Sequence, residues 1–556
     1  MLRNLKDKLA LMATGSVIAL TLTAGSALAY DFSGPAYLTY DGGTTFLPPD
    51  GTSGPVGGFG GGPLSPNVPL SFNGITQLDV RGLHGNFSAI PPDSHGAIGA
   101  TQFFETTNGA YAVYDKVTGT RTALWADGAF WLAAGQPTHY ALDFANGDSR
   151  VLFDKPSQKW IIESFDASLE NIQIAVSDTS DALGTWKSTS FTAYADGHGT
   201  GIADYPTLAI DNNAIYIGTN DFSRTAGTCP IPSISFCGTT MNVISRKDIF
   251  GLGGPATGSL KQFYTPYFTV DDGFAPQGVN QLGSDTGKVV AIGVNNFGPV
   301  RYDISNAGKA TATKSASTLV DPITAYDPNQ PAAQPDGTRN IDASDDRISS
   351  AAWEFKGKIY AIHTITVTGE QHTSLEMYVI DAASNAIVQR TIIGDGVHDY
   401  FQGSITVNGN GQVVVGYNKS GFGVGENVAL WAQAFDPNPG YSGALHLKGA
   451  AILLHLSPIS NYHNGSTQFS AASGRQRWGD YAQVTVDPTN SQSFWIIGEY
   501  ALGYLPSPTN SFSRWGDWIA NVTIDGVPEP QTWSMMIAGA GLIGASLRRR
   551  RRPAAA

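Results

Sequence analysis

One pattern constrains this chain more than any other: a strand–turn–strand unit that recurs seven times. The units run from Ala97 to Tyr114, Arg150 to Ile162, Pro206 to Ile217, Gly278 to Ile292, Ile348 to Ile362, Ser404 to Val415 and Ala482 to Ile497. Each joins two apolar, β-branched or aromatic runs through a polar turn. Examples are Lys155-Pro156-Ser157, Asn212-Asn213, Ser284-Asp285-Thr286-Gly287, Lys356-Gly357, Asn408-Gly409-Asn410-Gly411 and Asp487-Pro488-Thr489-Asn490, the residue types that hairpin turns require. Counted from the residues that open each unit, near 93, 150, 206, 277, 347, 403 and 480, the starts are separated by 56 to 77 residues, enough for a four-stranded sheet with its loops. A lone hairpin is marginal in water, whereas small sheets stacked round an axis bury both faces and keep their edges short. The expected fold is therefore all-β, a seven-bladed β-propeller; a two-sheet sandwich array is the alternative. The run Trp518–Ile524 supplies a third strand for the last blade, and Ser71 to Val80 is expected to close the ring as its fourth. With 65 Gly, 11% aromatics and only nine Glu among 46 acidic residues, the composition suits turns and strands rather than Glu-rich helical surfaces.

Both ends read as export signals. Arg3, Lys6 and Lys8 precede an apolar run from Leu9 to Leu22, and Ala27-Leu28-Ala29 offers a small-x-small cleavage site. The run is short and broken by polar residues, so cleavage is expected rather than anchoring. At the far end Val527-Pro528-Glu529-Pro530 is followed by an apolar run from Trp533 to Leu547 and five arginines, Arg548 to Arg552. Positive residues stay on the cytoplasmic side, and fifteen apolar residues make a marginal span, which suits a transient hold; a permanent C-terminal helix is the alternative. Motif, spacing and order resemble the PEP-CTERM tail of Gram-negative bacteria, carried here by Pro528, Glu529, Pro530, Trp533 and Arg548. The resemblance implies an exosortase-type membrane protease as a partner during export, transient membrane contact through the tail, and release or attachment at a cell surface or exopolysaccharide matrix.

The expected layout is a signal peptide at 1–29, a Gly/Pro-rich lead-in at 30–68, the propeller at 69–526 and the sorting tail at 527–556. The net charge is −13; the two end segments carry eight of the 33 basic residues and only two of the 46 acidic ones, so without them the chain is near −19 (25 basic, 44 acidic). That excludes a nucleic-acid binder, which needs a basic surface. Cys229 and Cys237, the only cysteines, are expected to form a local disulfide in an exported chain. No cofactor and no defined metal site is read from the residues; Asp-rich loops such as Asp271-Asp272 have oxygens suited to Ca²⁺ without a specific spacing.

Two motifs bear on function. Ser177-Asp178-Thr179-Ser180-Asp181-Ala182-Leu183-Gly184-Thr185-Trp186 is similar to the Asp-box turn of sialidase-type propellers, where the box stabilises a hairpin between outer strands. The box occurs once, and the Arg-Ile-Pro signature of that family is absent, so no catalytic residue is carried over. The second motif is charge at the head of the innermost strands: Pro92-Asp93-Ser94-His95, Asp148-Ser149-Arg150, Asp204-Tyr205-Pro206, Asp345-Asp346-Arg347, His398-Asp399-Tyr400 and Arg477-Trp478-Gly479-Asp480. Equivalent blade positions share one face round the axis. His95, Arg150, Asp204, Arg347, Asp399 and Arg477 are thus candidate ligand-binding residues for an extracellular polysaccharide or surface protein, since arginine forks grip carboxylate or sulfate. Two of Asp93, Asp346 and Asp480 are candidate acid and base for glycosidic cleavage, or His95 or His398 with a tyrosine for a lyase. Equally, such Asp–Arg pairs serve to tie neighbouring blades together. Arg477-Trp478-Gly479-Asp480-Tyr481 and Arg514-Trp515-Gly516-Asp517-Trp518 are near copies whose Trp rings are expected to pack.

Overall fold

The computed structural model describes residues 66–136, 147–193, 201–225, 227–230, 235–268, 273–281, 288–292, 298–320, 326–437, 444–464, 475–504 and 512–524. The signal peptide, the lead-in up to residue 65, the sorting tail, Asp271-Asp272 and the turn at 284–287 lie outside the described residues.

Alternation of apolar side chains on short strands produces the predicted seven-bladed propeller. Blade 1 runs outward from the axis through His95–Ile98, Gln102–Thr107, Ala110–Asp115 and Arg121–Ala126. Blade 2 comprises Gly147–Asp154, Lys159–Phe165, Asn171–Ser177 and Trp186–Thr192. Blade 3 begins with two short pieces, Gly201–Asp204 and Ala209–Ile210, against Ala214–Ser223, and continues through Phe236–Ser245 and Lys261–Pro266. In blade 4, Phe274–Asn280 leads to Lys288–Ile292 and Pro299–Ser305. Blade 5 is Ala352–Phe355, Lys358–Thr366, Thr373–Asp381 and Ile387–Ile393, and its innermost strand touches that of blade 4 in parallel at Val279–Ala352 and Asn280–Trp353. Blade 6 is Asp399–Val407, Val413–Ser420, Ala429–Pro437 and two outer pieces. Blade 7 is Gln483–Val486, Ser493–Tyr504 and Ser513–Thr523.

The fourth strand of blade 7 comes from the start of the domain. Asn67–Thr76 pairs antiparallel with Ser513–Thr523, with Ser71 opposite Ala520. The strand begins earlier than Ser71 and ends at Thr76, not Val80, because Thr76 opens a helix over Gln77–Leu83. Its hydroxyl accepts from the Asp79 N–H at 3.3 Å, while Asp79 Oδ2 accepts from the Thr76 N–H at 2.9 Å, a reciprocal cap.

Neighbouring side chains on a strand point to opposite faces, so each blade packs on both neighbours. Phe103 joins Trp495, Trp515 and Ile519 between blades 7 and 1. Its neighbour Phe104 joins Tyr111, Val151 and Trp160 between blades 1 and 2. Trp478 and Trp515 share the first of these clusters, where apolar burial is the dominant stabilising term. The Cys229–Cys237 disulfide is present.

Strand directions define two faces. The segments leading into the innermost strands, and the loops between second and third strands, lie on one face, the mouth. Asn67 and Thr523 are paired neighbours on the other. The described chain therefore enters and leaves together, away from the mouth.

Candidate functional site

Two long insertions lie over the mouth. One, preceding blade 5, carries the short hairpin Ala332–Ala333 and Arg339–Ile341. The other precedes blade 7. They join across the axis: the Asp342 N–H donates to Gln476 O at 2.8 Å, and the Gln476 N–H to Asn340 O at 2.6 Å. This crossing delivers Asp342, Asp345, Arg347, Arg477 and Asp480 to one place beside the innermost strands.

The structure brings Arg150, Arg347 and Arg477 into a single cluster under that cap, each at most 3% exposed. Arg347 is gripped by Asp345 in a fork, Nε to Oδ1 at 2.7 Å and Nη2 to Oδ2 at 2.9 Å. Its Nη1 lies 3.8 Å from Asp480 Oδ2. Asp480 also accepts from Arg477 Nη2 at 2.7 Å, and Arg477 Nε lies 3.2 Å from Asp342 Oδ2. Tyr205 and Tyr481 extend the chain of contacts. The Arg347 guanidinium is 4.3 Å from the Tyr205 centroid and that of Arg150 is 3.6 Å from the Tyr481 centroid, distances at which a desolvated cation is attracted to a ring face. Arg150 Nε donates to Pro206 O at 3.2 Å.

The remaining candidates are interior struts. Asp93 Oδ1 accepts the Asp480 N–H at 2.7 Å and Oδ2 accepts from Asn108 at 2.6 Å, tying blade 1 to blade 7. Burial, with Asp480 and Asp148 nearby, pushes its carboxyl well above the usual range. His95 Nδ1 accepts the Val151 N–H at 3.3 Å, and burial beside Arg150 pulls its pKa well down. Asp346 takes part through its backbone carbonyl, 2.9 Å from His363 Nδ1. Asp204, in register with Asn220, is buried next to Tyr205.

Asp399 stands apart from the axial cluster. Fully buried, it accepts from the N–H groups of Ala333 and Thr373, both at 2.9 Å, and from Arg339 Nη1 at 3.0 Å. It thereby pins the hairpin of the first insertion to blades 5 and 6. His398 is held by Asp395 at 2.7 Å and Glu426 at 3.1 Å.

Two buried carboxyls near the axis were missed in the sequence. Glu163 sits opposite Arg150 in register, and Glu499 accepts the Gly479 N–H at 2.6 Å; burial pushes both carboxyls well up. The signal was a lone Glu inside an otherwise apolar strand, Trp160-Ile161-Ile162-Glu163 and Trp495-Ile496-Ile497-Gly498-Glu499, because a charge there is buried and must find a partner. Among the described residues no three His, Cys, Asp or Glu side chains stand together as a metal site.

Chemically, this arrangement is a closed ion-pair network. Arg347 and Arg477 are paired with carboxylates of the same chain, Arg150 lies against the Tyr205 and Tyr481 rings, and the carboxyls do not open to solvent.

Residues 526–552 match the model of the PEP-CTERM protein-sorting motif. The chain carries a PEP-CTERM sorting motif. The motif makes it an exported protein sorted to the surface and processed by an exosortase on the way. No curated protein matches the chain. Among solved structures, this PEP-CTERM propeller is similar to Drosophila Plexin A in complex with Semaphorin 1b, at 10% identity over 83% of this chain and 88% of that one, TM-score 0.32. It is also similar to Kluyveromyces lactis Hsv2, at 9% identity over 77% and 98%, TM-score 0.32. A third is the alpha-L-arabinofuranosidase PaAbf62A from Podospora anserina in complex with cellotriose, at 9% identity over 77% and 90%, TM-score 0.29.

Proposed function

We propose that this exported propeller is a non-catalytic binding module, displayed at a Gram-negative cell surface or in its exopolysaccharide matrix, with a glycan as its ligand. One observation carries the reading: the axial arginines are buried, Arg347 and Arg477 committed to Asp345 and Asp480 and Arg150 to the Tyr205 and Tyr481 rings. A glycosidase needs two carboxyls that reach the bond, roughly 5–9.5 Å apart across it. Asp93, Asp346 and Asp480 are at most 6% exposed, and His95 is interior as well. Ligand contact is therefore assigned to the outer rim of the mouth rather than to its axis. The direction of the chain supports the same reading. The last described strand ends at Thr523, beside Asn67, so the chain continues toward its sorting motif from the face opposite the mouth. The turn at Ser177–Trp186, similar in sequence to an Asp box, is closed by Trp186 Nε1 donating to Ala182 O at 2.9 Å.

The test is incubation of the purified exported chain with a panel of neutral and anionic polysaccharides. Retention by at least one polymer, with no new reducing or unsaturated ends, is expected. Product formation that disappears in Asp480→Asn or Asp93→Asn, with the fold intact, overturns the reading.

A further inference from the structure

One exposed ring on the described surface lies on the mouth face, on a loop built to hold it. Phe422 is 45% exposed, at the tip of the mouth-face loop between the second and third strands of blade 6. An exposed aromatic on a slack loop would mean little, but this loop is pinned. The Gly421 N–H donates to Glu426 O at 3.0 Å, the Glu426 N–H to Gly423 O at 3.0 Å, and the Gly423 N–H to Glu426 Oε2 at 2.7 Å. His398 holds the other carboxylate oxygen at 3.1 Å. A Cβ at Gly421 or Gly423 would collide with the Glu426 carboxylate, and Gly425 turns at φ +88. The loop sequence is thus spent on presenting Phe422 in one position, and ordering of this kind lowers the entropic cost of binding.

The ring has polar company on one side. The Arg339 guanidinium is 5.3 Å from its centroid, and the His372 ring meets it edge to face at 6.4 Å. Arg339 is anchored by Pro331 O and Asp399 Oδ1, each 3.0 Å from Nη1, and its Nη2 lies 3.2 Å from His372 Nδ1. Among the described residues its Nε–H and one Nη2–H are left over, on a side chain 22% exposed. These two groups form the edge that takes a carboxylate as a fork. Val424, fully exposed, and Val397, on the adjoining loop, continue the apolar strip.

We propose that this rim is the glycan-contacting site and that its ligand is a polysaccharide containing uronic acid, an inference that rests on the glycan-binding reading above. The apolar C–H face of one pyranose lies on Phe422. Its carboxylate, or that of the next residue, takes the open edge of Arg339. Asp399, buried beneath, holds Arg339 in place.

The experiment uses the full exported chain against immobilised polygalacturonate, with dextran as the neutral polymer and circular dichroism to verify folding. Polygalacturonate is expected to bind and dextran to be weaker by roughly tenfold or more. Phe422→Ala is expected to weaken polygalacturonate binding by about tenfold, the scale of one lost aromatic contact, and Phe422→Trp to keep it. Arg339→Lys, which retains the charge for Asp399 but not the fork, is expected to remove the preference over dextran. Binding that survives Phe422→Ala unchanged refutes this site and leaves the glycan-binding reading standing. Equal binding of dextran and polygalacturonate refutes the acidic ligand. No binding to any polysaccharide defeats both.

Discussion

Replacing Arg347 by Met separates a structural axis from a ligand pocket. The two side chains are similar in volume, so the change removes charge and hydrogen bonds with little added cavity. What is lost is specific: the fork to Asp345 at 2.7 and 2.9 Å, the approach to Asp480 at 3.8 Å, and the stacking on Tyr205 at 4.3 Å. Asp480 keeps Arg477 at 2.7 Å, so the principal injury is an Asp345 carboxylate buried without its guanidinium. Removing one member of a buried pair costs roughly 3–5 kcal/mol, because the other charge stays in the interior. Retention of Arg477 by Asp480 places the expected loss near the middle, about 4 kcal/mol. The reverse half of that principle supplies an internal control: Arg347→Met with Asp345→Leu removes both charges and is expected to recover most of the loss. The assay is urea unfolding followed by tryptophan fluorescence, read as a shift in midpoint at unchanged slope. An Arg347→Met protein within about 0.5 kcal/mol of wild type, the range of ordinary surface changes, refutes the structural assignment. If that protein also lost polysaccharide binding, the axis would be the site.

Stability is expected to fall as pH rises above about 6.5, where the buried histidines no longer change charge on unfolding. Burial raises the carboxyls of Asp93, Glu163, Glu499 and Asp517. The folded chain therefore keeps protons that the unfolded chain gives up near pH 4. Their contribution is complete below that value and is lost as pH climbs through the folded pKa. The acid limit has the opposite sign: burial lowers His95, and His455 to about 4, so their contribution is present above about 6.5 and is lost as pH falls. Unfolding midpoints that keep increasing up to pH 9 would contradict the first of these trends. At the ring closure, Gly74→Ala would place a methyl group 2.9 Å from Asp517 Cβ and against the Glu105 carboxylate, which accepts the Ile75 N–H at 2.9 Å. Overpacking of this kind costs about 1–3 kcal/mol; a Gly74→Ala protein as stable as wild type would show that the closing strand has room to move.

What could be read in the sequence divides by range. The hairpins were legible because the information is local: Lys356-Gly357 and Asn408–Gly411 lie between the strands they join, and the period-two alternation tells each strand which blades it will face. The closing strand was legible in kind, since the last blade lacked a partner for Ser513–Thr523. Its end was misplaced because Thr76 and Asp79, a capping pair three residues apart, were passed over in favour of the apolar run to Val80. The heads of the innermost strands drew Arg150, Arg347 and Arg477 together on paper by blade equivalence, and the coordinates do place them in one cluster. Their accessibility was the illegible part. It depends on residues 340–342 meeting residue 476, a pairing across about 130 positions with no local signature. That same crossing excludes solvent from the axis, makes the guanidinium–carboxylate pairs obligatory, and moves the accessible chemistry outward to loops such as Gly421–Glu426. A charged residue at a repeated blade position is therefore ambiguous until the insertions above it are placed. A phenylalanine between two glycines, held out by a neighbouring glutamate, is less so, since the fold draws no packing from it equal to what its burial would contribute.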